Sequence, residues 1–410
     1  MIRGGGSISA RFILLGGSHI LGAVLGFLAT LIAVRALGDS GYGAVAIGLS
    51  LQTYAFVLVS FGTELHAVQQ TARAPETLNR VLARTTLLRL ALSVPTFLLL
   101  VGLALSGIWG PEESLVIGCF SISVFFQAMY PLWAPQALER VGLVAVLTLF
   151  GHVVILGLTA IVAGLEAGPW AFAAAKVVSD LLLAIVTFLW TRRKARAEQW
   201  RPRLQDVIAE AREVMPLAVA QLLRSAMILF DIVVLSLFVT AAAVGQFAVA
   251  FRIYLFILSI GSIYFVIVLP IFAKRMNEGL TALRQELRAS LIRTIPVTLV
   301  GIAAVLVIAE PLLARLFGAE FVTAAPALKI LMIAIAANYL HRTYRQVLLV
   351  TDSRRVDLRD TVTAVILKFA AMLLLVPMYG MFGAAVAAVF GELVLLFVQR
   401  RAALRVLASG

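Results

Sequence analysis

The chain has 410 residues, 62% of them apolar and 13% charged, with a net charge of +13 and a mean hydropathy of +1.02. So little polar surface excludes a soluble globule and places the chain in a membrane. Stretches of about 20 apolar residues, enough to cross roughly 30 Å of hydrocarbon as a helix, recur from end to end, and nothing alternates as barrel strands do.

In chain order, about twelve spans are predicted, near 12–34, 42–62, 87–109, 115–138, 142–165, 169–190, 215–238, 244–270, 291–309, 323–347, 361–379 and 381–399. The first run is longer than a secretory h-region and lacks a small-residue cleavage site, so it reads as a retained span. After it comes VRALGDSGYGAVAIG, 34–48, where Arg35 and Asp39 meet water and Gly38, Gly41 and Gly43 permit a tight outer reversal. Cys119 lies inside an apolar run and reads as an ordinary buried thiol. His19, His66, His152 and His341 have no metal-ligand spacing and read as packing or interfacial residues.

Charge alternates between successive loops. Most of the 34 Lys and Arg fall at the N-terminus, in the second, fourth, sixth, eighth and tenth loops, as in RAPETLNRVLAR, TRRKARAEQWRPR and TDSRRVDLRD, and in the C-terminal RRAALR, whereas the opposite loops carry only Arg35 and Arg315 against Asp39, Glu112, Glu113, Glu166, Glu310 and Glu320. That is the positive-inside pattern, with both termini cytoplasmic, and it explains the basic charge without nucleic acid.

These spans divide into two six-helix lobes, 1–190 and 214–410, joined by a basic cytoplasmic linker, 191–213, read in part as an interfacial amphipathic helix. Two echoes support the division. Gly41, Ala44, Val45 and Ala46 recur as Gly245, Ala248, Val249 and Ala250, and AGPWAFAAAKVVSDLLL, 167–183, sits beside YGMFGAAVAAVFGELVLL, 379–396, which sets Asp180 opposite Glu392. The outer loops are short, and there is no GxxxxGK[ST] phosphate loop and no GxSxG elbow. An enzyme is therefore unexpected, and transport is the default.

RALGDSGYGAVAIG, VTAAAVGQFAVAFRIYLF with the later LPIFAK, and AEPLLARLFGAEFVTAAPALKIL followed by VPMYGMFGAAVA resemble the oligosaccharide flippases. These form the polysaccharide-biosynthesis branch of the multidrug/oligosaccharidyl-lipid/polysaccharide exporter superfamily. The resemblance covers nearly the whole chain in order. It implies an all-α polytopic membrane protein of two pseudo-symmetric lobes around a central cavity. It also implies a lipid-linked oligosaccharide on a polyprenyl pyrophosphate, moved to the outer leaflet by alternating access. Many relatives have fourteen spans; twelve are predicted here.

Such a substrate needs cations inside the membrane, where a side-chain charge costs about 2.5 to 3.5 kcal/mol unless it is paired, wet or able to snorkel. Arg224 lies about 13 Å into its span, with Gln221 and Asp231 at offsets of three and seven and Ser225 beside it, a polar stripe that reads as a cavity wall. Arg252, in AVAFRIYLF where the first half has Gly48, could hold phosphate oxygens bidentately; the resemblance implies a cavity-facing cation there. Lys176 has Asp180 at i+4 and serves either a local ion pair or substrate. Lys329 and Lys368 lie nearer helix ends and are expected to snorkel; Arg342 and Arg345 read first as topological anchors and second as a phosphate attractor at the cytoplasmic mouth.

Asp231, Asp180 and Glu392 are the candidate proton or sodium sites, while Glu64 sits where solvent reaches it. Membrane potential alone could suffice, since two negative charges moving outward through about 100 mV gain roughly 4.6 kcal/mol. The reading is thus a flippase of the bacterial or archaeal inner membrane, without a bound cofactor. Its partners are the lipid-linked oligosaccharide, membrane lipids and other polysaccharide-assembly proteins. The alternatives are a cation-coupled multidrug exporter of the same superfamily and a non-transporting subunit of a polysaccharide assembly machine.

Overall fold

The computed structural model describes residues 8–195, 203–351 and 353–408. Regular structure among them is helical throughout. The first helix, α1 (Ile8–Ser60), bends at Gly38, whose φ of 66° and ψ of −172° leave helical geometry. It is followed by α2 (Thr63–Arg73), α3 (Leu78–Leu105), α4 (Pro111–Ala128), α5 (Trp133–Ala137), α6 (Val141–Gly164) and α7 (Pro169–Lys194). Then come α8 (Leu204–Ser236), α9 (Ala241–Asn277), α10 (Leu280–Leu316), α11 (Ala325–Val350) and α12 (Arg354–Ala408). The last of these bends at Gly380, with φ 55° and ψ −129°. Both bends need a positive φ, which glycine reaches without a Cβ clash.

Ten helical stretches are long and apolar enough to cross a membrane, and two of these are the bent α1 and α12. Each bend separates two arms of membrane length, so the ten stretches hold all the expected spans. Several helices overrun their apolar cores: α3 starts at Leu78, α8 at Leu204 and α10 at Leu280. Past the hydrocarbon, a helix already nucleated extends at little cost where one face still packs. In the expected linker, residues 196–202 lie outside the described residues, and α8 opens at Leu204.

Two compact units are formed, Met1–Ser225 and Ala226–Gly410, and the boundary falls inside α8. In the first unit, Ala44, Phe120 and Val116 pack with Ala173, while Leu88 packs with Val207 and Val214 of α8. A Cβ at Gly62 would stand 2.7 Å from the Ala218 backbone, so α8 lies directly on the turn before α2. In the second unit, Val268, Phe272, Leu283, Leu287, Val347 and Ala403 close the end where α9, α11 and α12 finish and α10 starts. We call this the basic end, since Lys274, Arg284, Arg342, Arg359 and Arg400 fall there.

The echoed segments occupy matching places. Residues 41–46 open the second arm of α1 and 245–250 open α9, and Ala44, Val45, Ala248 and Val249 are buried. Hydroxyls inside the spans are satisfied by their own helices: Thr85, Thr187, Thr294 and Thr298 each donate to the carbonyl four residues earlier. In hydrocarbon such a hydroxyl has no water to turn to.

Candidate functional site

The first unit has one polar centre around Asp180 of α7. Lys176 donates to its carboxylate, Gln52 Nε2 lies 2.8 Å from Oδ2, and Gln127 Nε2 lies 3.3 Å from the same oxygen. Gln52 also reaches Ser123 Oγ at 2.5 Å. The local Lys176–Asp180 pair expected from the sequence is present, and it is bound to two neighbouring helices by amides.

A second cluster of this unit was not singled out in the sequence. Arg89, buried on α3, donates from Nε to Thr63 Oγ1 at 2.8 Å and from NH1 to the Tyr130 carbonyl at 3.3 Å; Glu64 stands 3.7 Å away. Glu210 of α8 meets Arg84 at 2.5 Å and His66 at 3.6 Å, and His66 also meets Gln70 at 2.8 Å. These charges tie α2, α3 and α8 together. His66 is thus a polar partner, whereas His152 packs its ring beside Gly22 and Gly26 as expected.

Two polar groups occupy the second unit. One is Asp231 of α8 with Lys368 of α12, 2.6 Å apart and both buried. Lys368 also donates to the Met227 carbonyl, and its stem crosses the bare backbone of Gly391, where a Cβ would lie 2.9 Å from Lys368 Cδ. The snorkelling expected for Lys368 is therefore wrong. The nearest compensation for its charge is a carboxylate inside the unit, and a glycine leaves the path to it open. Lys329 remains half-exposed, 2.7 Å from Glu310.

The other group is a relay along α11 and α12. Arg345 grips Asp357 through two bonds of 2.9 and 3.0 Å, Gln399 Nε2 donates to Asp357 at 3.0 Å, and Gln399 Oε1 lies 3.0 Å from His341 Nδ1. His341 Nε2 then stands 2.9 Å from Glu392, whose oxygens each take a 3.2 Å bond from Asn338. A carboxylate clamped by arginine only accepts, which fixes the Gln399 amide with its oxygen toward His341 and so puts a proton on Nδ1. His341 Nε2 is buried and closes no hydrogen bond of its own, so imidazole and carboxylate face each other as a close polar pair.

Of the other expected residues, Arg224 is exposed on α8, Gln221 is half-buried one turn earlier, and Arg252 is half-buried on α9. Arg224 and Asp231 belong to different units. Arg342, read first as an anchor, has its guanidinium 5.5 Å from the centre of the Phe265 ring and makes no ion pair with any described residue. It lines a cavity of about 260 Å³ at the basic end, with Arg345, Gln346, Ser262 and Phe265. Gln346 Oε1 is buried there without a hydrogen-bond partner. An arginine held by an aromatic face, beside a second arginine, is an anion-binding arrangement.

The fold and its long apolar helices define a multi-pass membrane protein. Residues 8–276 match the family model described as polysaccharide biosynthesis protein, and the chain belongs to that family. No curated protein matches it in sequence. Among solved structures it is similar to an inward-facing multidrug resistance MATE transporter of the MOP superfamily, at 16% identity and a TM-score of 0.70 over 99% of this chain and 96% of that one. It is similar to the lipid II flippase MurJ in an inward closed conformation, at 12% identity and a TM-score of 0.72 over 95% and 87%. A third, a MOP transporter from Pyrococcus furiosus described by the reverse polarity of its binding pocket, has 16% identity and a TM-score of 0.60 over 98% and 97%.

Proposed function

We propose that the chain moves a lipid-linked oligosaccharide, carried on a polyprenyl pyrophosphate, from the cytoplasmic to the outer leaflet of a bacterial or archaeal inner membrane. The movement is by alternating access, and the substrate leaves chemically unaltered. The observation that carries this reading is Arg342: a guanidinium with no ion pair among the described residues, beside Arg345 in a cavity at the basic end, in a member of a polysaccharide-biosynthesis family. Positive-inside loops put that end, and both termini, in the cytoplasm, where such a lipid is made available. Arg224 and Arg252 are proposed as further contacts along the headgroup's path, with Gln221 beside Arg224.

Export of organic cations is disfavoured by the pairing of carboxylates. Asp180 is matched by Lys176 and Asp231 by Lys368, so neither is a bare anion awaiting a cationic drug. The same lysine pairing disfavours them as coupling sites beside Glu392, whose partners are His341 and Asn338. We propose that Glu392, with His341 2.9 Å away, carries a proton as the coupling ion, added to whatever the membrane potential supplies.

Vesicles holding only the purified protein test the reading. Outward translocation of at least one lipid-linked sugar from a panel of headgroups is expected, with loss of at least tenfold in Arg342→Gln and in the Arg224→Ala/Arg252→Ala pair. Failure with every headgroup points instead to an assembly subunit without transport of its own.

A further inference from the structure

A second cavity of the Ala226–Gly410 unit has the opposite character. It holds about 540 Å³ between α9, α10 and α11, lined by Ile257, Gly261, Val305, Met332 and Ile335 among others. That volume falls in the usual range of small-molecule sites, about 300 to 1,000 Å³. The two hydroxyls of α10 that line it, Thr294 and Thr298, are spent on their own helix, so what they offer the cavity is methyl groups. Tyr339 turns its hydroxyl away to the Ile257 carbonyl at 2.6 Å and lays its ring over Gly261, where a Cβ would meet it at 2.2 Å. Away from the cavity α10 shows Val300 and Val307 largely exposed, as a helix bathed in lipid does.

The apolar and basic cavities meet at one residue. Phe265 lines both, with Tyr339 6.1 Å away on the apolar side and Arg342 5.5 Å away on the basic side. Along α11 the order is Met332, Ile335, Tyr339, Arg342, Arg345, so the lining changes from hydrocarbon to cation within one turn. An amphiphile lying along α11 meets its chain's environment and its head's in the right order.

We infer that the two cavities are one site for a phosphate-headed, single-chain isoprenoid lipid, its phosphate at Arg342 and its chain behind Phe265 between α9, α10 and α11. The choice of an isoprenoid carrier rests on the lipid-linked substrate proposed above. The choice of one chain rests on the cavity, a single cleft behind α10, where a two-chain phospholipid would leave its second chain outside. The Arg342 guanidinium, without an ion pair among the described residues, supplies the charge complement.

Binding of a short radiolabelled polyprenyl phosphate to the full chain in detergent tests this, with the matching prenyl alcohol and inorganic phosphate as half-ligands. Gly301 lines the cavity, and a Cβ there meets nothing within 4 Å, so Gly301→Leu is the plug whose first atom has room; Thr298→Leu is the second plug if the first misfolds. The polyprenyl phosphate is expected to weaken at least tenfold in both Gly301→Leu and Arg342→Gln. The alcohol should be lost only in Gly301→Leu, and competition by inorganic phosphate only in Arg342→Gln.

Unchanged affinity in both plugs overturns the site, and equal displacement by phosphatidic acid overturns the occupant in favour of an ordinary bilayer lipid. Vesicle translocation separates this inference from the function it rests on. A wild type that moves lipid-linked sugars while both plugs do so unimpaired and bind the polyprenyl phosphate normally defeats the site alone. A wild type that binds through the cleft yet moves no lipid-linked sugar defeats the flippase reading alone.

Discussion

Asp180 in one unit and Glu392 in the other occupy matching places, each on its unit's last membrane arm and each held by an amide two spans earlier, Gln127 and Asn338. They differ in what neutralises them. Asp180 has the ammonium of a lysine on its own helix, whereas Glu392 has the imidazole of His341 from another helix. One unit thus has a lysine-paired polar centre and the other a histidine-paired one. The second unit has in addition Asp231–Lys368, which supplies the static pair that its own carboxylate–histidine site lacks.

The comparison can be broken most severely at that static pair. Lys368→Met leaves Asp231 buried and bare, and a loss of about 3 to 5 kcal/mol is expected, read as a large fall in Tm in detergent. The double change Lys368→Met/Asp231→Asn should restore most of it. Next in size, Glu392→Gln should flatten the pH dependence of transport by at least tenfold at the limiting pH, while Asp180→Asn should lower activity without changing the profile's shape. A profile that Asp180→Asn flattens equally erases the distinction between the units.

A smaller effect is expected at the aromatic wall. Gly261→Ala forces Tyr339 off the α9 backbone, and the overpacking should cost about 1 to 3 kcal/mol, visible as a lower Tm. Lys329→Ala, breaking an exposed pair with Glu310, should leave Tm and transport at wild-type values.

What the sequence made legible follows from distance along the chain. The spans and the Gly38 reversal are written in consecutive residues, and so is Lys176–Asp180, one helical turn apart. Lys368 shows the opposite case. It donates to the carbonyl of Met227, 141 residues away, and pairs with Asp231 beyond it, so depth in its own span said nothing of its partner. Arg89 was hidden for a related reason: it follows a basic stretch and reads as loop charge, whereas α3 begins early enough to carry it inside against Thr63 and Tyr130. One available signal was the presence of His341 on one span and of Gln399 and Glu392 on another, polar residues inside apolar runs on both. The relay becomes visible once such positions are required to satisfy one another.

Gly391 carries a consequence for how such chains can vary. It is the residue before Glu392, and its missing side chain is the channel through which Lys368 reaches Asp231. A lineage that replaced Lys368 by a short apolar residue would be released from glycine at 391 and from an acid at 231 together. Among descendants of a common ancestor these three positions should therefore change as a set, whereas position 392 should follow 341.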